Sequence, residues 1–112
     1  MGFRISKRRH KYAAVATVVH GIKFPSKREA AHYCNLKLLE QAGKIRDLEL
    51  QPEYVLHAAG GKKVGVYRAD FTYWDIEKNC QETCDAKGFK TDLYRWKKRH
   101  MLAEYGIKIL EV

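Results

Sequence analysis

The pattern of apolar and polar residues reads as extended in five stretches of this chain and recurs at helical spacing in two others, which together predict a small mixed α/β domain. Thr17 to Phe24 reads as an extended pair with a turn at His20-Gly21. Ser26 then stands as the cap of a first helix that stops before Gly43, with Ala30, Tyr33, Cys34, Leu38 and Ala42 as its core stripe and Glu29 at the edge of that stripe. Ile45 to His57 reads as a strand bent or broken at Pro52, because proline cannot donate to a ladder. Gly60-Gly61-Lys62-Lys63 is a flexible turn. Val64 to Trp74 makes a second strand, and Glu77-Lys78-Asn79 turns into a third from Cys80 to Lys87. Thr91 caps a second helix that runs to Tyr105 and ends at Gly106, and Ile107 to Val112 is the last strand. On that helix Tyr94, Met101, Leu102 and Tyr105 share a face with Lys98 in its middle, so Lys98 either snorkels to solvent or reaches a bound phosphate. The expected architecture is an αβββαβ core, a mixed central sheet flanked by two helices, with a short strand pair in front.

Two of these strands carry a residue that strands avoid. Asp70 lies in Tyr67-Arg68-Ala69-Asp70-Phe71 and Asp85 in Asp85-Ala86-Lys87-Gly88, and aspartate is depleted inside strands. A carboxylate placed there is costly unless a cation or hydrogen bonds compensate it. Side chains two apart on a strand share a face, so Asp85 and Lys87 point together while Cys84 and Ala86 point away. A hairpin bringing Asp70 beside that pair would outline a phosphodiesterase site. Hard cations such as Mg²⁺ need only one or two carboxylates plus a substrate phosphate, and an adjacent ammonium can orient water and offset phosphoryl charge. Glu29 is a third acidic candidate, although Ser26-Lys27-Arg28-Glu29 also fits a capping box. Gln51, polar in a half-buried strand, either holds water at such a site or makes an ordinary strand hydrogen bond.

Composition sharpens the choice of partner. The chain has 112 residues and 46% hydrophobic content, enough for one domain and one core. Its net charge of +9 favours nucleic acid or an anionic surface. Arg4, Lys7, Arg8, Arg9 and Lys11 contribute +5 of this in an acid-free arm over residues 1–12, ahead of a domain over 13–112. Arg95, Lys97 and Arg99 on the second helix are further candidates for phosphate contact. No stretch approaches the roughly 18 apolar residues of a membrane span, and a membrane partner is not expected. Three cysteines, Cys34, Cys80 and Cys84, are read as small buried hydrophobes in a reducing cytoplasm rather than as a disulfide or zinc framework. Neither a phosphate-binding glycine loop nor a nucleophile-and-histidine arrangement occurs.

The blocks Phe24-Pro25-Ser26-Lys27-Arg28-Glu29-Ala30, Leu48-Glu49-Leu50-Gln51-Pro52, Ala69-Asp70-Phe71, Asp85-Ala86-Lys87-Gly88 and Tyr105-Gly106-Ile107-Lys108 follow one another in an order that resembles a family of small phage-encoded proteins of the PD-(D/E)XK nuclease superfamily. The resemblance runs from about residue 18 to the C-terminus. It implies a restriction-endonuclease-like core and a Mg²⁺ site, in which Mn²⁺ can substitute, made by Glu29, Asp70 and Asp85 with Lys87 as the catalytic amine. It also implies a likeness to Holliday-junction resolvases, hence branched DNA as substrate and a homodimer that cuts two strands. The chain departs from the pattern at Cys84, where an acidic residue is common, and at Ala69, where the superfamily name has proline.

Together these readings make the expected activity Mg²⁺-dependent hydrolysis of DNA phosphodiesters in the cytoplasm, with Gln51 and Lys98 as possible support. The alternative is a nucleic-acid-binding protein that keeps the fold without catalysis, and an RNA nuclease is a third possibility.

Overall fold

A computed structural model describes residues 16–87 and 89–112; the basic arm expected at residues 1–12 lies outside the described residues. The described residues open with a hairpin of β1 (Thr17–Val19) and β2 (Ile22–Phe24), joined by His20 and Gly21, both with positive φ as a tight hairpin turn requires. Helix α1 (Lys27–Gln41) follows, with Ser26 as its cap, its hydroxyl accepting from the Glu29 amide at 3.1 Å.

The two long strands expected next are each divided. β3 (Ile45–Leu50) and β4 (Glu53–His57) are separated at Gln51-Pro52, where Gln51 takes a positive φ of 51°. β5 (Lys63–Arg68) and β6 (Phe71–Asp75) are separated at Ala69-Asp70. The two breaks face each other, since the Gln51 amide donates to the Asp70 carbonyl at 2.8 Å and the Ala69 amide to the Pro52 carbonyl at 3.1 Å. Here one long hairpin passes from one sheet to another. β4 and β5 form an outer antiparallel ribbon, whereas β3, β6, β7 (Cys80–Asp85) and β8 (Leu110–Glu111) form the central sheet in the order β3-β6-β7-β8. β8 runs parallel to β7, so the sheet is mixed. Helix α2 (Asp92–Tyr105) precedes β8, capped by the Thr91 hydroxyl and closed by Gly106 at a φ of 67°. Counting each bent strand once, the order after the first hairpin is αβββαβ.

Two apolar clusters hold these layers together. Phe24, Tyr33, Leu36, Ile45, Phe71, Tyr73 and Cys84 pack α1 and the first hairpin onto the central sheet. Leu56, Tyr67, Ala69, Tyr94, Met101 and Ile109 pack α2 against the β4–β5 ribbon. Tyr105 and Glu104 tie the ribbon to α2, the tyrosine hydroxyl donating to the Val55 carbonyl at 2.6 Å and the carboxylate accepting from the His57 amide at 2.8 Å.

Several expected positions differ. Asp70 is not inside a strand but in the break, where its side chain is free to turn toward the end of the sheet. The α1 stripe is Glu29, Ala30, Tyr33 and Leu36, not the set ending in Leu38 and Ala42. Leu38 is 63% exposed and Cys34 is also outward, so Cys34 is not a buried hydrophobe. The helix has apolar residues on more than one side, and the Phe24 and Phe71 rings select the Tyr33 side for the core. On α2, Leu102 and Tyr105 are exposed while Tyr94 and Met101 are buried. Ile107 and Lys108 precede the last strand, whose ladder is confined to Leu110–Glu111. No helix among the described residues is long and apolar enough to cross a membrane.

Candidate active site

Three elements end at one place. The start of α1 brings Glu29, the break between β5 and β6 brings Asp70, and the end of β7 brings Asp85, with Lys87 two residues on. Antiparallel pairing of β6 with β7 sets Phe71 opposite Cys84, which puts Asp70 beside Asp85 and Ala86 at the end of β7. The Asp70 amide donates to the Cys84 carbonyl at 3.1 Å, and the Asp70 carboxylate accepts from the Ala86 amide at 2.7 Å. Asp70 is thus fixed by the backbone on either side of Asp85.

Asp85 is nearly inaccessible, 1% exposed, and its Oδ2 accepts from the Tyr67 hydroxyl at 2.5 Å. Lys87 Nζ lies 3.7 Å from the same oxygen, so Asp85 and Lys87 do share a side. The ammonium also sits over the Tyr94 ring at 4.8 Å from its centroid, a cation–π contact that aims it at the acids. Cys84 points the other way into the α1 core. The non-acidic residue at that position therefore leaves the acidic face untouched. Arg28 ties the segment to α1 by donating to the Lys87 carbonyl at 3.5 Å.

Glu29 does not complete a capping box. Its amide meets Ser26, but its carboxyl is buried toward Gln51 and Asp70, and Oε2 has no hydrogen-bond partner. Burial raises its pKa above the ordinary value; the Gln51 side chain pulls it back and the charge of Asp85 pushes it up again. Asp70 is raised by burial and by Glu29, against the Ala86 hydrogen bond. Asp85 is pushed up to about 6, mainly by burial and, against the Tyr67 bond, by the neighbouring Asp70 charge. Three carboxyls, two buried and one half-buried, that resist losing their protons because they are desolvated together form a site short of positive charge. Lys87 alone does not balance them.

Among the described residues no group of three or more His, Cys, Asp or Glu side chains is arranged to hold a metal ion as it stands. The donor chemistry nevertheless fits a hard cation: the candidate donors are all oxygens, the side chains of Asp70 and Asp85 meet, and Glu29 Oε2 is a buried acceptor with nothing to accept from. Beside the acids opens a cleft of about 400 Å³ lined by Tyr67, Arg68, Lys87, Tyr94 and Lys97 among others. Lys97 thus shares a cleft with Lys87. Arg95 and Lys98 do not; they line a separate cleft beyond Tyr94, where Lys98 pairs with Glu111 at 3.2 Å. Arg4, Lys7, Arg8, Arg9 and Lys11 lie outside the described residues.

Sequence reasoning missed Tyr67, Tyr94 as a support for Lys87, and Glu111. Glu111 pairs with Asp85 across the parallel β7–β8 ladder and accepts from Tyr94 at 2.8 Å; that bond and those from Lys90 and Lys98 hold its pKa down to about 2. The alternation that puts Tyr67 on a buried face was readable, but not that its hydroxyl would meet Asp85.

A family model described as protein of unknown function (DUF1064) matches residues 9–110, and the chain belongs to that family. No curated protein and no solved structure matches the chain.

Proposed function

We propose that this DUF1064 chain is a divalent-metal-dependent nuclease that hydrolyses phosphodiester bonds. The observation that carries the reading is the convergence of the buried Glu29 and Asp85 and the half-buried Asp70 from three separate elements, beside one ammonium, with a carboxylate oxygen left unpartnered. Catalytic sites are where such strained electrostatics are retained, because a folded protein gains nothing in stability from them. The αβββαβ order and the blocks resembling PD-(D/E)XK nucleases point the same way.

In this reading Asp70 and Asp85 would hold Mg²⁺, with Glu29 as a further ligand or as the acid that positions water. The ion, when bound, would neutralise the acids and draw charge from the phosphoryl oxygens. Tyr67 fixes the Asp85 carboxylate by its hydrogen bond, and the Tyr94 ring holds Lys87 in the position from which its ammonium can orient the attacking water and stabilise developing negative charge. Gln51 lies beside Glu29 and can bind the same water. Attack forms a new P–O bond as the opposite sugar oxygen leaves. Arg68 and Lys97, in the cleft beside Lys87, would hold the backbone on either side, an interaction that carries no sequence information. DNA rather than RNA, branched DNA as target and a two-fold dimer rest on the resemblance alone.

A second reading has an observation of its own. One oxygen of each aspartate is already taken, Asp85 by Tyr67 and Asp70 by Ala86, which would serve a protein that binds nucleic acid and does not cut it. Plasmid, four-way-junction DNA and single-stranded RNA incubated with Mg²⁺, Mn²⁺ or EDTA separate the two readings, with Asp70→Asn and Lys87→Ala beside the wild type. A nuclease cuts one of these polymers only with metal and loses at least about a hundredfold in rate in either variant. Failure of the wild type to cut while all three proteins bind alike would establish the binding reading.

A further inference from the structure

The second cleft, on the far side of Tyr94 from Lys87, has a composition the nuclease reading does not use. It measures about 390 Å³, within the range of roughly 300–1,000 Å³ typical of small-ligand sites. Its walls are Lys90, Arg95, Lys98, Arg99 and Lys108, its floor is Leu102 and the buried Ile109, and its one acid is Glu111. That acid is already satisfied: Lys90 reaches it at 3.0 Å, Lys98 at 3.2 Å and the Tyr94 hydroxyl at 2.8 Å. Among the described residues no carboxylate pairs with Arg99 or Lys108. Arg95 has only the exposed Asp92, at 3.3 Å.

The sequence places these charges where they repel. Arg95, Lys98 and Arg99 fall three and four residues apart on α2, the spacing at which helical side chains are neighbours, and like charges there cost stability. A merely solvated helix face would interleave acids at those positions. Here the positive field is concentrated in a concave site with an apolar floor, and no described carboxylate occupies the guanidinium fork of Arg99. Arginine forks match phosphate oxygens two at a time, a lysine adds an undirected charge, and an apolar floor suits the flat body that a nucleotide carries.

We propose that this cleft between α2 and the C-terminal strand binds a nucleotide phosphate through Arg99, Lys108 and Arg95, with the nucleotide's apolar face against Leu102 and Ile109. The nucleotide is either free or part of a strand. Neither case requires the protein to cut anything. If a strand is the source, the cleft is a second anchor one aromatic ring away from Lys87, because Tyr94 touches Lys87 with its ring and Glu111 with its hydroxyl.

The test is made in EDTA, on wild type and on Asp70→Asn, so that cleavage plays no part. The probes are fluorescein-labelled oligothymidylate, read by anisotropy, and thymidine monophosphate, read by amide shifts at Leu102 and Ile109. The Arg99→Ala/Lys108→Ala variant is compared with Lys62→Ala/Lys63→Ala, which removes the same charge from the exposed end of the β4–β5 ribbon, where the turn enters β5. The cleft variant is expected to weaken oligonucleotide binding by about tenfold more than the control variant. Shifts with the monophosphate that the cleft variant abolishes identify a free nucleotide as sufficient; their absence alongside the tenfold loss identifies the strand. Equal loss in the two variants, with no monophosphate shifts at Leu102 and Ile109, overturns the proposal. Loss of cleavage in the assay above, with binding here intact, would overturn only the nuclease reading.

Discussion

Asp85 carries a measurable signature of its surroundings. Its carboxyl is 1% exposed and its pKa stands near 6 against an ordinary 3.8, raised first by burial. The folded protein therefore holds this proton more tightly than the unfolded chain does. Between those two values the native state binds more protons at this site, so the Asp85 contribution to stability is greatest at the acid end, falls as pH rises through about 6 and is level above. In EDTA, Asp85→Asn should flatten that slope, because the amide keeps an acceptor for Tyr67 without a charge to desolvate. At pH 7.5 the variant is expected to be more stable than wild type by on the order of 3 kcal/mol, the linkage value of a shift of this size. Urea unfolding at intervals between pH 4 and 8 measures it. Parallel curves for the two proteins would refute the burial account of Asp85.

At the scale of elements, helix α1 matters because it delivers Glu29. Ser26 caps it by accepting from the Glu29 amide, and the same turn sets the direction in which the Glu29 carboxyl is aimed. Ser26→Ala should cost about 1 kcal/mol in urea unfolding, the usual worth of such a cap. It should also lower cleavage under conditions where the variant stays fully folded, since Ser26 sets the turn that aims Glu29. Unchanged cleavage by the folded variant would detach Glu29 from the chemistry.

Most of the elements are legible in the chain itself. Both caps, the stop at Gly106 and the turns at His20-Gly21 and Glu77–Asn79 are written in residues with strong local preferences. The break at Ala69-Asp70 is not, because Tyr67, Phe71 and Tyr73 are all buried and read as one continuous strand, with no glycine or proline to punctuate it. The acids stand out because aspartate is out of place in such a run. Their supports do not: Tyr67 reads as core, and Glu111 near the end of the chain reads as solvated until β8 is laid beside β7. The buried face of α1 is misread from spacing alone, which gives Leu38 and Leu36 equal claims; only the rings of Phe24 and Phe71 decide between them.

For the whole molecule, the question is where the charge acts. The net charge is +9, and the arm residues Arg4, Lys7, Arg8, Arg9 and Lys11 supply five of those charges without an acid among them. Removing residues 1–12 leaves +4. If the arm grips the phosphate backbone, each phosphate it neutralises releases condensed counterions, and the logarithm of affinity falls with the logarithm of salt in proportion to the number of phosphates neutralised. The truncated protein should then bind double-stranded DNA more weakly at low salt. Its salt slope should be shallower by up to about 4.5, since every phosphate that an arm cation neutralises adds about 0.9 to the slope. The rate at saturating DNA should change little, because the acids and Lys87 belong to the folded domain. Titrations across a series of potassium chloride concentrations, paired with single-turnover cleavage, read both quantities. An unchanged slope would move the binding surface to Arg68, Lys97 and the α2 cleft, whereas a collapse of the saturated rate would place the arm over the scissile phosphate itself.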